Sequence, residues 1–392
     1  MVSMKNIGVF FGGQSAEHDI SIVTAIASVI KPLEAMSAYR VIPVYIAKNG
    51  AWYSDQKLKD IKLYQTGEID SFLKKSRPIS VRFDSGLVLK QTKGLLRKAP
   101  ETRLDIAFPA MHGTHGEDGE LMGVFELAGI PYVGCELLAS AIAMDKVVCK
   151  KIIEAYDIPT PKMISFSKQE YQENATRYEK DIADKLQLPL FVKPARLGSS
   201  IGITKVSSHK DLQGAIEVAL HFDTKVLIEE SVNNLIEVTV PIMGNHDLTP
   251  ALVEQPIVSA EGSFDFETKY LKRNKKTGGA KSAQKGAQGY SKLPAEIPKK
   301  LSDSSIETAC AAYKAIGCSG IARVDLLIDE KQQKVYFNEL NPLPGSLYRH
   351  NWHAAGVSAT ELVTRLIDLA QQRHREKTAV NTSFKTNFLK QF

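Results

Sequence analysis

The sequence predicts a mixed α/β protein built from two or three packed units, and three observations carry that expectation. Strand-like apolar runs alternate with helix-periodic segments through the first third of the chain, which implies a parallel sheet covered on both faces. Strand pairs joined by Gly/Ser or polar turns follow in the middle and last thirds. The 392 residues exceed what one hydrophobic core ordinarily holds, so a cleft between units is expected.

The elements follow in order. Lys5 to Phe11 reads as a buried strand, Gly12-Gly13-Gln14-Ser15 as a turn, and Ile20 to Leu33 as a helix with apolar residues at helical spacing. Val41 to Ile46 gives a second strand, Leu104 to Pro109 a later one, and Glu120 to Ala128 a helix. A helix over Lys146 to Tyr156 leads to strand Leu190–Lys193, a turn through Pro194 to Ser200, and a partner strand from Gly202 to Val206. Two strands joined by such a turn suggest a mobile flap. Val226–Glu230 and Glu237–Ile242 are further strands, and Ala322–Ile328 with Val335–Leu340 reads as one hairpin linked through Asp329-Glu330. The Gly/Lys/Gln-rich stretch from Thr277 to Gly289 is expected to be a loop.

Composition narrows the function classes. Hydrophobic residues are 43% and charged residues 24% of the chain, the ordinary balance of a folded globular protein. No apolar run approaches the length of a membrane span and the N-terminus lacks a signal-peptide pattern, so a cytoplasmic protein is expected. Cys135, Cys149, Cys310 and Cys318 have no CxxC spacing, which suits reduced thiols in the core. The net charge of +6 is concentrated locally, in residues 271–293 and in the tail from Arg373 onward. These segments lack the interleaved aromatics of a nucleic-acid platform, so an anion-attracting loop or a solvated charge run is expected and no nucleic-acid partner.

Several groups can carry chemistry. Asp325 on one strand, with Glu339 and Asn341 on its partner, can converge on one face because Glu339 and Asn341 are two residues apart. Hard oxygen donors of this kind suit Mg²⁺ beside nucleotide phosphates, and Arg323 lies on the same face as Asp325. Lys193 and the Gly198-Ser199-Ser200 turn offer an ammonium and free backbone N–H groups to phosphates, although the P-loop signature is absent. Glu229, Glu230 and Glu237 can address an adenine and a ribose, or serve as solvated acids. The run Met111 to Gly119 admits a zinc reading from His112, His115, Glu117 and Asp118, but its three glycines make it a backbone-dominated loop and the HExxH spacing is missing.

Six ordered pieces, Gly12–His18, His112–Gly119, Met144-Asp145-Lys146, Val192–Gly202, Ala322–Asp325 and Asn338–Asn341, resemble those of D-alanine-D-alanine ligases, a branch of the ATP-grasp superfamily. The resemblance runs from about Lys5 to Leu366. It implies an ATP-grasp fold of three domains, expected at 1–140, 141–232 and 233–370 with a polar basic tail at 371–392, and ATP bound between the second and third. It further implies a cytoplasmic homodimer that forms D-alanyl-D-alanine for peptidoglycan precursors through an acyl phosphate.

Carried over by motif, Lys146, Lys193, Ser200 and Lys269 would meet the ATP phosphates, Glu229 and Glu230 the adenine, and Glu237 the ribose. Asp325, Glu339 and Asn341 would hold two Mg²⁺ ions, with Mn²⁺ as a substitute. Glu17 would bind the ammonium of the first amino acid, linked with Ser199 and Tyr270. His112 would sit near that subsite, and Arg323 with the Gly345 N–H would stabilise the oxyanion.

The resemblance departs at the second amino acid's side. Ser346 and Leu347 match the family's carboxylate-binding Ser-Leu pair, but they follow Gly345 directly, with about four residues missing before them. Arg349 then offers bidentate carboxylate recognition, with helix capping and surface packing as the equal alternative. A related ligase with a different amine or hydroxy-acid acceptor therefore stands beside the first expectation. A non-catalytic ATP-binding protein is the third reading.

Overall fold

The structure, a computed structural model, describes residues 4–84, 86–91, 100–198, 200–257, 291–381 and 388–391. Ser199, Lys269, Tyr270 and most of the basic stretch 271–293 lie outside the described residues.

The first sheet orders Trp52–Tyr53, Tyr39–Ile46, Lys5–Gly12 and Ile106–Pro109. The last three strands are parallel. Side chains of the central strand alternate between two cores. Ile7, Val9 and Phe11 pack against Ile22, Ile26, Val29 and Ile30, whereas Phe10 packs on the other face with Ile42, Val44 and Phe125. That is the two-sided burial a parallel sheet requires.

Leu104–Pro109, expected as one strand, is two. Glu101–Leu104 closes an antiparallel meander with Ile79–Phe83 and Leu87–Gln91, and Ile106–Pro109 joins the parallel sheet. Asp105 makes the break: its carboxylate accepts the Asn6 N–H at 2.7 Å while its own N–H donates to the Asn6 carbonyl at 2.9 Å.

The expected first helix is a helical run of three parts: His18–Val23, a π-helical stretch Thr24–Ile30, and Lys31–Glu34. A π-helical turn is uncommon and frequently marks a functional position.

The middle sheet is antiparallel, in the order Thr204–Val206, Leu190–Pro194, Lys225–Glu230 and Met163–Ser167. Helices Lys168–Lys185 and Leu212–Phe222 bury their apolar stripes against it through Tyr171, Ile182, Leu212 and Ile216. Ser167 and Glu170 form a reciprocal capping box that starts the longer helix.

The last sheet orders Thr249–Pro250, Leu235–Met243, Ile321–Asp329 and Lys334–Asn341, all antiparallel. Helix Lys299–Ile316 covers it.

The chain then returns to its beginning. Leu343, Leu347 and Trp352, with Leu362, Val363 and Leu366 of helix Ala359–Thr378, join the same core as Ile22 and Val29. This helix continues into the stretch expected as a basic tail. Arg373, counted there as tail charge, is only 8% exposed, because its guanidinium is taken up by the carbonyls of Tyr132 and Gly134. The boundary expected at residue 140 falls inside helix Leu137–Met144.

Candidate active site

The expected hairpin is present and its register sets the site. Asp325 stands directly opposite Glu339, and Arg323 opposite Asn341. The two-residue period of the strands puts all four on one face, while Val324, Leu326 and Leu340 are buried on the other. Arg323 grips Asp325 as a fork, with Nε and Nη2 donating to the two carboxylate oxygens at 2.7 and 2.6 Å. Asn341 Nδ2 donates to the same carboxylate at 3.1 Å, and Lys146 Nζ lies 3.5 Å from Glu339. Burial alone would loosen the proton of Arg323, but the Asp325 carboxylate holds its pKa well above the ordinary value. An all-oxygen set of two carboxylates and one amide, ringed by cations, fits a hard divalent ion such as Mg²⁺.

Beside this face the middle sheet carries a buried charge cluster. Glu229 is 2% exposed and accepts from Lys193 at 2.5 Å and from the fully buried Lys150. Burial pushes the Glu229 carboxyl up, yet the two ammoniums outweigh it and hold the pKa down at about 2. One carboxylate serves two lysines. Burial therefore leaves the Lys150 pKa below the ordinary range, whereas for Lys193 the pull of Glu229 overcomes burial and raises it.

Lys146 also donates to the Leu197 carbonyl at 2.9 Å, tying the first turn of its helix to the flap. The Glu230 carboxylate is engaged by the Gln187 N–H at 2.9 Å, and its own N–H donates to the Lys162 carbonyl at 3.0 Å. Glu237 lies on strand Leu235–Met243 opposite Leu327, and its charge is felt by Lys193. Ser200 takes a left-handed backbone, φ 59°, within the flap turn.

The N-terminal loops face the flap across a cavity of about 360 Å³ lined by Ser15, Glu17, Gly113, Met144, Leu197 and Ile201, among others. Gly113 has a physical reason to be glycine. Its φ is +70°, and a Cβ there would fall 2.5 Å from Ser15 Oγ and 3.2 Å from Glu17 Oε2. His18, one residue beyond Glu17, is buried and fixed by the Gly13 carbonyl at 2.6 Å and the Tyr45 hydroxyl at 3.0 Å.

His112 is 2% exposed. Its Nδ1 meets Glu117 at 3.1 Å and its Nε2 meets the Thr24 hydroxyl at 2.8 Å. The zinc set read from the sequence is therefore not assembled as read. His115, Asp118 and Glu120 draw together instead, and His112 faces the first helix.

The segment after Gly345 has unusual backbone geometry. Ser346, Leu347 and Tyr348 have φ of 53°, 54° and 51°, three successive non-glycine residues in the left-handed region. Each such residue costs roughly 1–2 kcal/mol, so the surroundings must hold them. The Ser346 N–H donates to Thr24 Oγ1 at 2.9 Å, Leu347 is fully buried, and the Tyr348 ring lies 5.3 Å from the Arg323 guanidinium carbon. Tyr348 also shares a hydrogen bond with Thr239 at 3.1 Å.

Arg349, expected as a possible carboxylate clamp, donates to the Ala27 carbonyl within the π-helical stretch at 2.9 Å. It caps a helix carbonyl and does not turn toward the hairpin. His350 pairs with the buried Glu254 at 2.8 Å.

Lys150, Thr24 and Tyr348 were not singled out from the sequence as site residues. A signal existed for Lys150 alone: it occupies the apolar stripe Val147, Lys150, Ile153 of its helix, where a lysine is out of place unless a carboxylate meets it.

The chain is similar to known proteins along nearly its whole length. A family model described as the D-ala D-ala ligase N-terminus matches residues 6–135, and one described as the D-ala D-ala ligase C-terminus matches residues 152–368. The chain is 36% identical over 390 residues to the D-alanine–D-alanine ligase of Acetivibrio thermocellus, covering 96% of this chain and 98% of that protein. Against the D-alanine–D-alanine ligase of Thermosipho melanesiensis the identity is 35%, with 99% of each chain covered. Among solved structures, the VanG D-Ala:D-Ser ligase from Enterococcus faecalis is 34% identical, with a TM-score of 0.77 over 94% of this chain and 100% of that one. With both terminal models matched in order and relatives aligned along nearly the whole length, this chain belongs to the D-alanine–D-alanine ligase family.

Proposed function

We propose that this chain is an ATP-dependent carboxylate–amine ligase that joins D-alanine to D-alanine through an acyl phosphate. The architecture is that of the ATP-grasp fold. The single observation that carries the reading is the hairpin face on which Arg323, Asp325, Glu339 and Asn341 converge, with Lys146 alongside.

In this reading the γ-phosphoryl group of ATP passes to the carboxylate of the first amino acid, whose ammonium is met by Glu17. The neutral amine of the second attacks the carbonyl carbon, and the tetrahedral oxyanion collapses as phosphate leaves and the nitrogen loses its proton. Arg323 and the Gly345 N–H face the developing negative charge; donors fixed in advance are worth most there. Lys146 and Lys193 hold the phosphates, Glu229 and the Glu230 backbone the adenine, and Glu237 the ribose. Ser200 belongs to the flap that excludes water from the acyl phosphate. Ser199, Lys269 and Tyr270 keep the roles the resemblance gives them.

Asp325, Glu339 and Asn341 would hold the divalent metal, two Mg²⁺ ions or Mn²⁺ in their place, which neutralises phosphate charge when bound. No helix among the described residues is long and apolar enough to cross a membrane. The cytoplasmic setting, the homodimer, the three-domain division and the supply of cell-wall precursor belong to the proposal and rest on the family resemblance.

Phosphate release tests the reading. Purified protein with ATP, Mg²⁺ and D-alanine alone is expected to release phosphate and form the dipeptide; no release under these conditions sinks the D-alanine assignment. One observation favours a second reading, an acceptor other than D-alanine: the left-handed segment Ser346–Tyr348 follows Gly345 directly, where the resemblance implies a longer junction beside the second amino acid. A panel of D-amino acids, hydroxy acids and short peptides offered with D-alanine separates the two, and D-alanine clearly best as acceptor removes the second.

A further inference from the structure

The hydrogen bonds around His112 form one chain with a single consistent direction. Thr24 Oγ1 accepts the Ser346 N–H at 2.9 Å. Glu117, as a carboxylate, accepts from His112 Nδ1 at 3.1 Å, which in the neutral ring leaves Nε2 to accept the Thr24 hydroxyl proton at 2.8 Å. Every donor in this sequence meets an acceptor, and the tautomer of His112 follows from it. Thr24 is fully buried and His112 nearly so, so water is not at hand to replace the hydroxyl.

Thr24 also opens the π-helical stretch. The same stretch receives Arg349 at the Ala27 carbonyl and packs Ile26 and Val29 in one core with Leu347. The first helix is thus the seat on which the short junction after Gly345 rests.

We propose that Thr24 is a positioning residue of the ligation centre: its hydroxyl fixes the left-handed Ser346–Tyr348 junction and, through His112, couples that junction to the Glu117 loop. This rests on the ligase reading above, in which the junction borders the second amino acid. Thr24 touches no substrate in this account. It acts through Ser346 and His112.

The test is Thr24→Val, which keeps the branched shape and removes the hydroxyl, beside Thr24→Ser, which keeps the hydroxyl. Stranding a buried N–H and an imidazole nitrogen corresponds to about a tenfold to hundredfold effect. Thr24→Val is expected to raise the KM for the second amino acid and lower kcat by that order, with the KM for ATP within about twofold of wild type. Thr24→Ser is expected to restore both. In ¹⁵N-histidine spectra of the full-length protein, the Nε2 resonance of His112 should shift in Thr24→Val, which removes the hydroxyl it accepts from, and stay in place in Thr24→Ser, while Glu117 keeps the Nδ1–H in both.

Wild-type kinetics in Thr24→Val, or an unchanged His112 Nε2 resonance, overturns the inference. Equal damage in both variants with the KM for ATP raised as well also overturns it, because that pattern is a general packing defect. If the wild type itself releases no phosphate with any acceptor, the ligase reading is what has failed; if the wild type is active and Thr24→Val matches it, only the role of Thr24 falls.

Discussion

At the scale of single residues, the cluster of Lys150, Glu229 and Lys193 shows how charge is made tolerable in a core. Removing one partner of a buried pair costs about 3–5 kcal/mol, because the remaining charge is stranded. The cluster carries two cations and one anion, so the carboxylate is the member whose loss matters most. Glu229→Gln is expected to lower unfolding free energy by about that amount at neutral pH and clearly more than Lys150→Met, as read by chemical denaturation. The sign of the pH dependence follows from the depressed pKa. Glu229 titrates near 2 in the folded protein against 4.5 as its ordinary value, so its contribution is whole above pH 4.5 and lost as pH falls toward 2. A Glu229→Gln protein within 1 kcal/mol of wild type, with an unchanged acid limb, would show that the cluster is not the stabilising unit described. That Glu339 and Asn341 share a face was legible from spacing, since a period of two puts them on one side, but a metal-holding role for them rested on the resemblance. Thr24 was not, because a threonine within an apolar helical pattern looks like packing until its partners 88 and 322 residues away are known.

At the scale of elements, the junction Gly345–Tyr348 and the π-helical stretch explain each other. A short connection that must leave the hairpin and bury Leu347 under the first helix turns through the left-handed region, and the wider π turn presents Thr24 and the Ala27 carbonyl to receive it. This is also where sequence reading of the site was least complete. The resemblance implied missing residues before Ser346, but the pattern of polar and aromatic side chains could not say which way Arg349 pointed. Arg349→Ala is expected to leave the KM for the second amino acid within about twofold and to cost about 0.5–1.5 kcal/mol of stability, the worth of one exposed capping hydrogen bond. Isothermal denaturation and acceptor kinetics on the same preparation decide it: a KM raised tenfold or more would restore Arg349 to the substrate and refute its capping role. The meander at 79–104 was missed for a related reason. Its break lies at a single Asp105 inside an otherwise continuous apolar run, and periodicity does not see a carboxylate bonding to a distant backbone N–H.

At the scale of the whole molecule, the N-terminal loops and the hairpin can share a site only if the parallel sheet is held against the last sheet. Residues 132–136 form that strap. Tyr132 bridges to Ala107 of the parallel sheet, while Cys135 Sγ donates to the Ile321 carbonyl where the strand bearing Arg323 and Asp325 begins. Arg373 fastens the strap from the C-terminal helix, with Nη1 at 2.5 Å from the Gly134 carbonyl and 2.6 Å from Ser319 Oγ, and Nη2 at 2.7 Å from the Tyr132 carbonyl. Its guanidinium also lies over the Tyr132 ring at 4.6 Å. A planar fork suits this geometry, and a lysine, with one compact ammonium on a flexible stem, cannot span both carbonyls in the same way. Arg373→Lys is therefore expected to behave like Arg373→Leu, each losing about 2–4 kcal/mol of stability as buried carbonyls go unpaired. Because the proposed adenine side lies on the middle sheet, the KM for ATP should stay near wild type while kcat falls, as Glu17 and the hairpin lose their fixed separation. Full rescue by lysine would mean that only a positive charge is needed there, and the account of the fork as the brace between the two sheets would have to be abandoned.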